Sequence, residues 1–310
     1  MRTAFIETLF DLAAQDERIM LVVGDLGFGV VTKFADELPR QFVNAGVAEQ
    51  HMTGLAAGLA LSGKIAFTYS IANFPVLRCL EQIRNDVCYH NANVKVVAVG
   101  GGMAYGALGM THHATEDLAV MRSLPNLTVV SPNDPVEARL ATRAIIERPG
   151  PAYLRLGRQG EKPVHKSIPE FEIGRAIKVR EGGDATIIVG GGLLQNAMAA
   201  ADILASDHKI ETRVLSMHTL KPFDDDAARA AARETGAVFT LEEHSIIGGL
   251  GGAVAESLLE SDARPRIFKR LGLPGVKFSS KVGDQDYLRG EFGLDAASVA
   301  RSIAAAITSH

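Results

Sequence analysis

The chain has 310 residues, of which 47% are apolar and 22% are charged, and its formal net charge is −4. This composition is typical of an ordinary globular protein with room for about two domains. It lacks both the basic footprint of a nucleic-acid-binding domain and the polybasic patch of a membrane-surface protein, so we expect neither nucleic acid nor membrane as a partner.

The beginning of the chain does not read as a targeting sequence. Residues 1–20 are acidic as well as apolar, whereas a secretory signal peptide has a basic start followed by an apolar core. No uninterrupted apolar run approaches the length of about 18 residues that indicates a membrane-spanning helix. We therefore expect a cytoplasmic protein.

Short β-rich runs alternate with amphipathic helical stretches along the whole chain. The predicted strands are residues 19–24, 64–70, 93–100, 127–132, 185–191, 212–217 and 237–243. Continuous apolar strands separated by helix-length segments indicate parallel sheets covered on both faces. The sequence therefore predicts an α/β protein with two doubly wound domains built on mainly parallel sheets.

The first glycine-rich segment, GDLGFG from Gly24 to Gly29, follows a predicted strand and precedes a helix. It lacks the G-x-G-x-x-G spacing of a dinucleotide site, and the chain contains no P-loop lysine motif. Neither a dinucleotide site nor a nucleoside triphosphate site is indicated.

A lone acid, Glu49, stands near the start of the otherwise small and apolar segment 42–63. With Gly46 as a cap, Glu49 falls at the third helical position, where an acid stabilises the helix dipole. The small residues that follow, including Gly54 and Gly58, instead favour close packing and deep burial. A buried carboxylate is paired, protonated or functional, and the sequence leaves these alternatives open.

Residues 73–90 have a helical spacing of apolar side chains from Phe74 through Val87. The two cysteines, Cys79 and Cys88, lie in this predicted helix. At about 100° per residue they point to opposite faces, which excludes a disulfide bond between them. We expect two buried free thiols.

The segment from Val99 to Leu118 is a glycine-rich loop after a predicted strand, and it places His112 and His113 just before a helix near Thr115. Loops at the carboxyl ends of strands in open α/β sheets bind ligands. Exposed histidines in a flexible crossover are the alternative. A metal site from His113 and Glu116 is less favoured because no third ligand is indicated.

A further helix is predicted over residues 133–147, with Asn133 or Asp134 as its cap and Pro135 in its first turn. The periodic pattern then breaks off, because Gly, Pro and charged residues dominate up to a new β-α alternation. We place the first domain at residues 1–160, a linker at 161–175 and the second domain at 176–310.

The last glycine-rich segment, Glu242 to Glu256, follows a predicted strand and enters a helix through four glycines. Such a helix start can bind an anion, because its free N–H groups and its dipole favour negative charge. A tight structural turn explains the glycines equally well, and both interpretations stay open.

Four segments together resemble the transketolases and the related deoxyxylulose phosphate synthases. The segments are residues 46–70, 110–138, 151–159 and 241–256. They are similar to the pyrimidine-binding and C-terminal domains of that family, in order and at matching spacing over nearly the whole chain. The resemblance implies a thiamine diphosphate enzyme.

The resemblance also implies a role for Glu49, which occupies the position of the family's acid in G-x-x-E. That acid hydrogen-bonds the pyrimidine N1′ of the cofactor. A partly buried carboxylate can share a proton with N1′ and favour the imino tautomer, whose nitrogen then takes the proton from thiazolium C2. The resulting carbanion attacks a ketose carbonyl, and the cofactor stores the two-carbon fragment.

Three other positions correspond to cofactor contacts of the family. Asp25 matches an acid at the edge of the cofactor, and Tyr69 matches an active-site tyrosine of the synthases. Phe74 is the candidate for the aromatic ring that stacks on the pyrimidine, although the alignment of YSIANFP is loose and a place in the core is the alternative.

Four positions correspond to substrate contacts. His112 matches the family's T-H histidine, which contacts the substrate or the covalent intermediate near the reacting carbon, and His113 is grouped with it. Arg158 matches an arginine that binds the substrate phosphate, and Arg2 matches a second one. A bidentate arginine suits a phosphate group.

The sequence departs from the family at the positions that select the substrate. An acid that binds a donor hydroxyl shortly before T-H is replaced by Leu108, and a phosphate-binding histidine or arginine of the same loop is replaced by Gly100 or Gly101. The departure leaves the identity of the sugar open, including whether it is phosphorylated.

A whole domain of the family has no counterpart here. Full-length transketolases begin with a domain that holds the diphosphate through a metal motif, G-D-G followed by Asn. Neither GDL at Gly24 nor GDA at Gly183 has an asparagine at the required distance. We therefore expect no metal ligands in this chain, and we expect Mg²⁺ and the diphosphate to be held by a separate subunit that carries the G-D-G…N motif.

The sequence as a whole predicts the C-terminal subunit of a split transketolase, assembled as α2β2 and acting on a sugar or sugar phosphate. A decarboxylating relative, either a deoxyxylulose phosphate synthase or the β subunit of a 2-oxoacid dehydrogenase, is the enzymatic alternative. A non-catalytic scaffold subunit is the third, although a scaffold has no use for Glu49 and His112.

Overall fold

The computed structural model describes residues 1–158 and 160–309. The strands are β1 Ile19–Val23, β2 Phe42–Asn44, β3 Ile65–Ile71, β4 Val94–Val99, β5 Thr128–Val130, β6 Ala152–Leu156, β7 Ile177–Arg180, β8 Ala185–Gly190, β9 Thr212–Ser216, β10 Thr219–Lys221, β11 Ala237–Ser245 and β12 Ile267–Leu273. The helices are α1 Arg2–Ala13, α2 Thr32–Glu37, α3 Glu49–Leu61, α4 Phe74–Leu77, α5 Leu80–Gln82, α6 Asp117–Ser123, α7 Pro135–Glu147, α8 Leu194–Ile203, α9 Asp225–Thr235, α10 Leu250–Leu259, α11 Gln285–Glu291 and α12 Ala296–Thr308.

The strands form two sheets, in the orders β10-β5-β6-β4-β3-β1-β2 and β12-β11-β8-β9-β7. Neighbouring strands in the described part of the chain pair in parallel, apart from β10 with β5 and β7 with β9. The inner strands β1, β4, β6 and β8 are buried over their full length, as expected for sheets covered on both faces. The predicted α/β fold with two mainly parallel sheets is confirmed.

All seven predicted strands are present, whereas β2, β6, β7, β10 and β12 were not predicted. Most of these additional strands are short or lie at a sheet edge, where the apolar signal is weak. Strand β6 is different because it lies inside the first sheet and carries Arg155, which is 2% exposed. A charged residue within a buried strand interrupts the continuous apolar run by which such a strand is predicted.

The predicted helix over 73–90 is interrupted, and the prediction of one continuous helix is wrong. The chain forms α4 and α5, separated by Arg78 and Cys79, and continues in a π-helical turn over Ile83–Cys88. A π turn adds a residue to the helical repeat, which a spacing of 3.6 does not encode. Both cysteines are buried and free, as expected.

Helix α7 begins as predicted. Asp134 is its N-cap and accepts a hydrogen bond from the Glu137 N–H at 2.8 Å, and Pro135 occupies the first turn. The cap residue is thus Asp134, and Asn133 instead reaches across to the second sheet, where its side chain donates to Ser216 Oγ at 2.8 Å and accepts from the Gly192 N–H at 3.0 Å.

The segment after the predicted linker contributes to both sheets. Strand β10 pairs antiparallel with β5 at the edge of the first sheet. One apolar cluster also contains buried residues from both halves, such as Val96 and Val129 from the first and Val238 and Leu250 from the second. The two halves therefore share a continuous apolar core.

A buried charged network fixes the two halves to each other. Arg155 donates from Nε to Asp117 Oδ2 at 2.8 Å and from Nη2 to the main-chain oxygens of Ala114 and Glu243, at 2.9 and 3.0 Å. Burial and the neighbouring Asp117 carboxylate raise the pKa of Tyr153, so its phenol keeps the proton that it donates to Asp117 at 2.6 Å. A buried guanidinium is stable only with this full set of acceptors.

The Glu243 carboxylate extends this network. It is fully buried and accepts hydrogen bonds from the Met103 N–H at 2.6 Å and from Gln285 Nε2 at 2.8 Å, and it pairs with Arg289. The Ser245 N–H donates to the Thr115 oxygen at 2.8 Å. The loop between β4 and α6 is therefore held at both of its ends by the strand β11 of the second sheet.

A second polar cluster joins the linker to both halves. The buried Glu137 carboxylate accepts from Ser216 Oγ at 2.6 Å and bonds His165 Nε2 at 2.8 Å. Asp134 Oδ2 accepts from the Val164 N–H at 2.8 Å. Burial lowers the pKa of His165, but the hydrogen bond to Glu137 and the negative charges of Glu137 and Asp134 together outweigh it, and the net result is a pKa above the ordinary value.

None of the helices in residues 1–158 and 160–309 combines the length and the apolar character that a bilayer crossing requires.

The His165 contact makes the stability of the fold dependent on pH. Because its folded pKa is raised, the contribution of His165 is fully present below the unfolded pKa of about 6.5 and is lost as the pH rises through the folded pKa. We expect His165→Gln to lower the free energy of unfolding by about 1 kcal/mol at acidic pH and by less at alkaline pH. Urea unfolding at a series of pH values measures the difference.

His208→Gln is the matched control, since His208 is exposed at the end of a π turn and its replacement should change the stability little at any pH. A difference between wild type and His165→Gln that stayed constant from acidic to alkaline pH would contradict the titration of this contact.

Candidate functional site

The candidate residues lie at one edge of the first sheet. Strands β1, β3, β4 and β6 are parallel, so the loops that follow them emerge at the same carboxyl edge. Asp25, Phe74 and Arg158 follow β1, β3 and β6, and the two histidines lie in the loop after β4. The expectation that this loop is positioned at a ligand-binding edge therefore agrees with the fold.

Glu49 is the first residue of α3, and its side chain is 2% exposed. The cap is Ala48, which makes no side-chain hydrogen bond, so the expectation of Gly46 as cap with Glu49 at the third position is wrong. The carboxylate is instead paired, since Glu49 Oε2 accepts a hydrogen bond from Arg78 Nη1 at 2.6 Å. Sequence reasoning missed Arg78, which reaches Glu49 because the chain turns between α4 and α5.

The surroundings of Glu49 are close and contain polar atoms. A Cβ at Gly24 would lie 3.5 Å from Glu49 Cγ and 3.6 Å from Ser70 Oγ, which are ordinary contact distances, so Glu49 and Ser70 both lie next to the end of β1. The hydroxyls of Ser70 and Thr68 are buried without a hydrogen-bond partner in the described structure. An unpaired buried hydroxyl beside a buried carboxylate, as Ser70 is beside Glu49, suits a site that receives a polar ligand.

Helix α3 is buried on one face only. Ala56 and Ala57 pack into the core, but a Cβ at Gly54 or Gly58 would meet nothing within 4 Å, and Leu61 is 62% exposed. The expectation that all the small residues after Glu49 are packed is therefore wrong for the two glycines. They form an open face of the helix that begins at Glu49.

Phe74 forms an aromatic cluster close to Glu49. The Arg78 guanidinium lies over its ring, with Cζ 4.7 Å from the ring centroid, and the His112 ring contacts it edge-on at a centroid distance of 5.2 Å. Thr111 Oγ1 lies 3.0 Å from His112 Nδ1, which orients the imidazole. Phe74 is half-buried, so the structure brings it together with Glu49 and His112.

A cavity of about 440 Å³ opens beside this cluster. His113 lines it, is only 5% exposed, and has an Nε2 atom without a hydrogen-bond partner among the described residues. The expectation of exposed histidines is therefore wrong for His113. The first half of the chain contributes Phe74, Arg78, Met103 and Thr115 to the walls.

The opposite wall of the cavity comes from the second half, and sequence reasoning missed it. It includes Ser245, Leu273, Lys277 and Phe278. The segment 274–282 has no periodic pattern, but it exposes the apolar side chains of Val276, Phe278 and Val282. Exposed apolar residues in a loop are the signal that could have indicated a binding surface there.

Tyr69 lies away from the cavity. Its ring stacks on Phe5 at a centroid distance of 6.1 Å, and its side chain belongs to the apolar cluster of α1, β1 and β3. Burial raises the pKa of the Tyr69 phenol far above its ordinary value. The described structure does not bring Tyr69 together with Phe74, and its role as a cofactor contact stays a prediction.

Asp25 has a strained backbone at the end of β1. Its φ is +53°, in the left-handed region that non-glycine residues rarely adopt. Asn44 holds this conformation, because its Oδ1 accepts from the Asp25 and Gly46 N–H groups and its Nδ2 donates to Asp25 Oδ1 at 2.9 Å. Such outliers cluster at functional sites, and sequence reasoning missed the supporting Asn44.

The main chains of Arg158 and Arg2 are in contact, but the two residues line different cavities and neither lines the histidine cavity. The Arg2 N–H donates to the Arg158 main-chain oxygen at 3.1 Å. The Arg158 side chain donates to the Ala104 oxygen at 3.3 Å and lines a separate cavity of about 310 Å³, which also contains Lys162 and Arg289. Their roles in substrate binding stay predictions.

The two glycines of the substrate loop have a structural cause. A Cβ at Gly100, whose φ is +86°, would lie 2.1 Å from the Tyr105 ring, and a Cβ at Gly101 would lie 2.5 Å from Arg155 Nε. Neither position accepts a histidine or arginine while those neighbours remain. Leu108 is 56% exposed on the same loop.

The start of α10 is occupied by the chain's own carboxylate. Glu242 accepts hydrogen bonds from the N–H groups of Leu250 and Gly251, at 2.7 and 2.8 Å. A Cβ at Gly249 would lie 2.2 Å from Glu242 Oε2, which explains the glycine. The interpretation as a structural segment is therefore favoured over an anion-binding helix start.

The described residues contain one group of three candidate metal ligands, which consists of Asp134, Glu137 and His165. Their carboxylates already accept hydrogen bonds from main-chain N–H groups and from Ser216 and His165. The group therefore serves the domain junction. Glu116 instead accepts from Thr115 Oγ1 at 2.9 Å.

The comparisons with known proteins agree over the length of the chain. The family described as "Transketolase, pyrimidine binding domain" matches residues 1–162, and "Transketolase, C-terminal domain" matches residues 174–299. A solved structure described as a split gene transketolase, inactive beta4 tetramer, is similar with a TM-score of 0.89 and 39% identity, covering 99% of this chain and 97% of that chain.

Two relatives are similar in sequence over nearly their whole length. An apulose-4-phosphate transketolase subunit of Phocaeicola vulgatus is 41% identical over 296 residues, which cover 95% of this chain and 93% of the relative. The 6-deoxy-6-sulfo-D-fructose transketolase subunit SqwH of a Clostridium species is 39% identical over 303 residues, which cover 97% of this chain and 92% of the relative.

The position of Glu242 yields a test of the glycine segment. Glu242→Ala leaves two buried N–H groups without an acceptor, and we expect the free energy of unfolding to fall by about 2 kcal/mol. Urea unfolding measures the loss, with exposed Glu260→Ala as the matched control. Stabilisation of the wild type by inorganic phosphate, at least as large as the stabilisation of Glu242→Ala, would instead indicate a ligand site.

Proposed function

Because this chain belongs to the transketolase family, we propose that it is the C-terminal subunit of a split transketolase. In this proposal it transfers a two-carbon ketol unit from a ketose donor to an aldose acceptor, together with a separate subunit that carries the diphosphate domain. The relatives named as transketolase subunits, which this chain matches over nearly their full length, support the proposal.

The observation that carries the proposal is the buried carboxylate of Glu49 at the family's acid position. It stands at the start of α3, at the carboxyl edge of the first sheet, beside the ring of Phe74. The cavity lined by Phe74 and His113 lies on the same side. This arrangement places an acid close to an aromatic ring that lines the cavity together with an imidazole.

The residues present fit the pyrimidine half of thiamine diphosphate. Glu49 offers a carboxylate for a ring nitrogen, Phe74 offers an aromatic face, and the unpaired hydroxyl of Ser70 is buried close by. Thiamine diphosphate, when bound, supplies a nucleophilic carbon and an electron sink for the two-carbon unit. Asp25 would lie at the edge of that cofactor.

The chain's own residues would hold the proton at the pyrimidine and contact the substrate. Glu49 would hold a proton at N1′ of the pyrimidine, and its burial strengthens that hydrogen bond because the surroundings have a low dielectric constant. His112 and His113 would contact the substrate at the reacting carbon. The unpartnered Nε2 of His113 in the cavity suits it to donate to or accept from a sugar hydroxyl.

The diphosphate half and its Mg²⁺ belong to the partner in this proposal. Mg²⁺ takes oxygen ligands in a near-octahedral arrangement, and the one candidate metal group among the residues described here serves the domain junction instead. The partner would supply the G-D-G…N motif, and the assembly would be α2β2. A solved relative in which a β4 tetramer is described as inactive supports the need for a second subunit.

The substrate is a sugar or sugar phosphate in this proposal. The two relatives are named for substrates that carry a phosphate and a sulfo group. Gly100 and Gly101, confined by Tyr105 and Arg155, offer no side chain for an anion, and in this proposal Arg158 and Arg2 provide that contact.

Replacement of Glu49 tests the proposed function. In the complex reconstituted with its diphosphate-domain subunit, thiamine diphosphate and Mg²⁺, we expect Glu49→Gln and Glu49→Ala to lower the rate of ketol transfer by at least about 100-fold, because proton transfer at the pyrimidine is lost. Glu81→Gln, an exposed acid on α5, is the matched control.

Ketol transfer at near wild-type rate in Glu49→Gln would contradict this mechanism. Carbon dioxide release from pyruvate, without any turnover of ketoses, would instead favour the decarboxylating relatives. A complex without either reaction would favour a scaffold subunit.

The open face of α3 allows a test of where the partner subunit binds. Since Gly54 and Gly58 lie on the helix that starts at Glu49, we propose that the diphosphate-domain subunit covers this face. Gly58→Leu should weaken binding of that subunit by at least about tenfold, which is about 1.4 kcal/mol. It should not destabilise the isolated chain, because leucine is the better helix former. Analytical ultracentrifugation measures the binding of that subunit and the self-association of this chain.

Gly290→Leu is the matched control, since Gly290 is also an exposed helical glycine whose added Cβ would meet nothing within 4 Å. If Gly58→Leu left the affinity for the diphosphate-domain subunit unchanged and removed only self-association, this face would be assigned to a second copy of the chain.

A further inference from the structure

The Glu49 carboxylate is not vacant in the chain alone, because Arg78 holds it. Nη1 of Arg78 lies 2.6 Å from Glu49 Oε2, and the two side chains are 46% and 2% exposed. The partners therefore differ in what they need. Glu49 is buried and must keep a donor, whereas the half-exposed guanidinium of Arg78 can turn into water and be solvated there once another donor reaches Glu49.

The same guanidinium also covers the aromatic ring. Cζ of Arg78 lies 4.7 Å from the centroid of the Phe74 ring, within the range of a cation–π contact. A guanidinium is planar, carries N–H donors in its plane and stacks on aromatic faces. Arg78 thus provides the two contacts, a hydrogen bond to the acid and a stack on the ring, that are proposed for the cofactor's aminopyrimidine.

Arg78 and the aminopyrimidine cannot contact Glu49 and Phe74 at the same time. The ion pair with Arg78 stabilises the ionised carboxylate, whereas the proposed chemistry needs a carboxyl group that shares a proton with a ring nitrogen. The guanidinium over Phe74 also takes the space of a stacked ring. The pyrimidine can therefore reach both Glu49 and Phe74 only after Arg78 has moved.

We propose that Arg78 is a placeholder for the aminopyrimidine. It neutralises Glu49 and covers Phe74 in the subunit without cofactor, and it gives up both contacts when the cofactor enters with the partner subunit. The inference rests on the proposed function, since it assigns the displaced group to the same site. The half-exposed side chain of Arg78, which lines the 440 Å³ cavity, has room to leave.

A double-mutant cycle in two states tests the exchange. In the isolated chain, Arg78→Met should lower the folded-to-unfolded ratio in urea by about tenfold, because it leaves Glu49 buried without a donor. In Glu49→Gln, the further change Arg78→Met should have little effect. The pair is thus coupled when the chain is alone.

In the complex with the diphosphate-domain subunit and Mg²⁺, the loss of Arg78 should be favourable. Arg78→Met should bind thiamine diphosphate about three- to tenfold more tightly than wild type by isothermal titration calorimetry, because no guanidinium has to be displaced. Arg84→Met is the matched control, since Arg84 is an exposed arginine of the following π turn and should change neither measurement.

Three outcomes would overturn the exchange. If Arg78→Met weakened cofactor binding while the wild-type complex bound normally, Arg78 would be a permanent cofactor contact, and the proposed function would survive. Absence of coupling in the isolated chain would contradict the ion pair between Glu49 and Arg78 on which the exchange rests. A wild-type complex that did not bind thiamine diphosphate, and in which Glu49→Gln had no effect, would reject the proposed function and the exchange together.

Discussion

The buried guanidinium of Arg155 is the interaction on which the arrangement of the site depends. It starts in the first sheet, bonds the Asp117 carboxylate of α6, and reaches the main-chain oxygens of Ala114 in the histidine loop and of Glu243 in the second sheet. Removing a charge of this kind from water is expensive, so all of its acceptors must stay in place together. The histidine loop, the first sheet and the second sheet are therefore held to one another beside the cavity.

The buried glutamates of the described residues fall into two groups. Glu137, Glu242 and Glu243 each accept at least two hydrogen bonds from groups that are themselves held in the fold. Glu49 accepts one side-chain hydrogen bond within residues 1–158 and 160–309, and its donor is half-exposed. The acid that we propose for catalysis is thus the buried glutamate with the fewest hydrogen bonds from the fold. Incomplete internal satisfaction is what a carboxylate needs if a ligand is to compete for it.

The sequence predicted the fold class well because the inner strands of parallel sheets are apolar throughout. It failed where a charge is buried, as in the strand of Arg155, or where a strand lies at an edge. For the site, the family motifs indicated Glu49, Phe74 and His112, and the structure brings these three together. The pairing of Glu49 with Arg78 depends on a break between two short helices, and the wall at Leu273 and Phe278 depends on how the two sheets meet. Both are consequences of tertiary structure that local spacing does not encode.

The Glu242 carboxylate at the start of α10 has a consequence for how glycine-rich helix starts are interpreted. Because Glu242 is joined to the helix by a short stretch of chain, its effective concentration at the N–H groups of Leu250 and Gly251 is at least on the order of millimolar, and the strand that holds it raises this value further. A dissolved anion must compete with a ligand that never diffuses away. The start of α10 thus has the N–H groups of an anion site, and the chain's own Glu242 carboxylate occupies them.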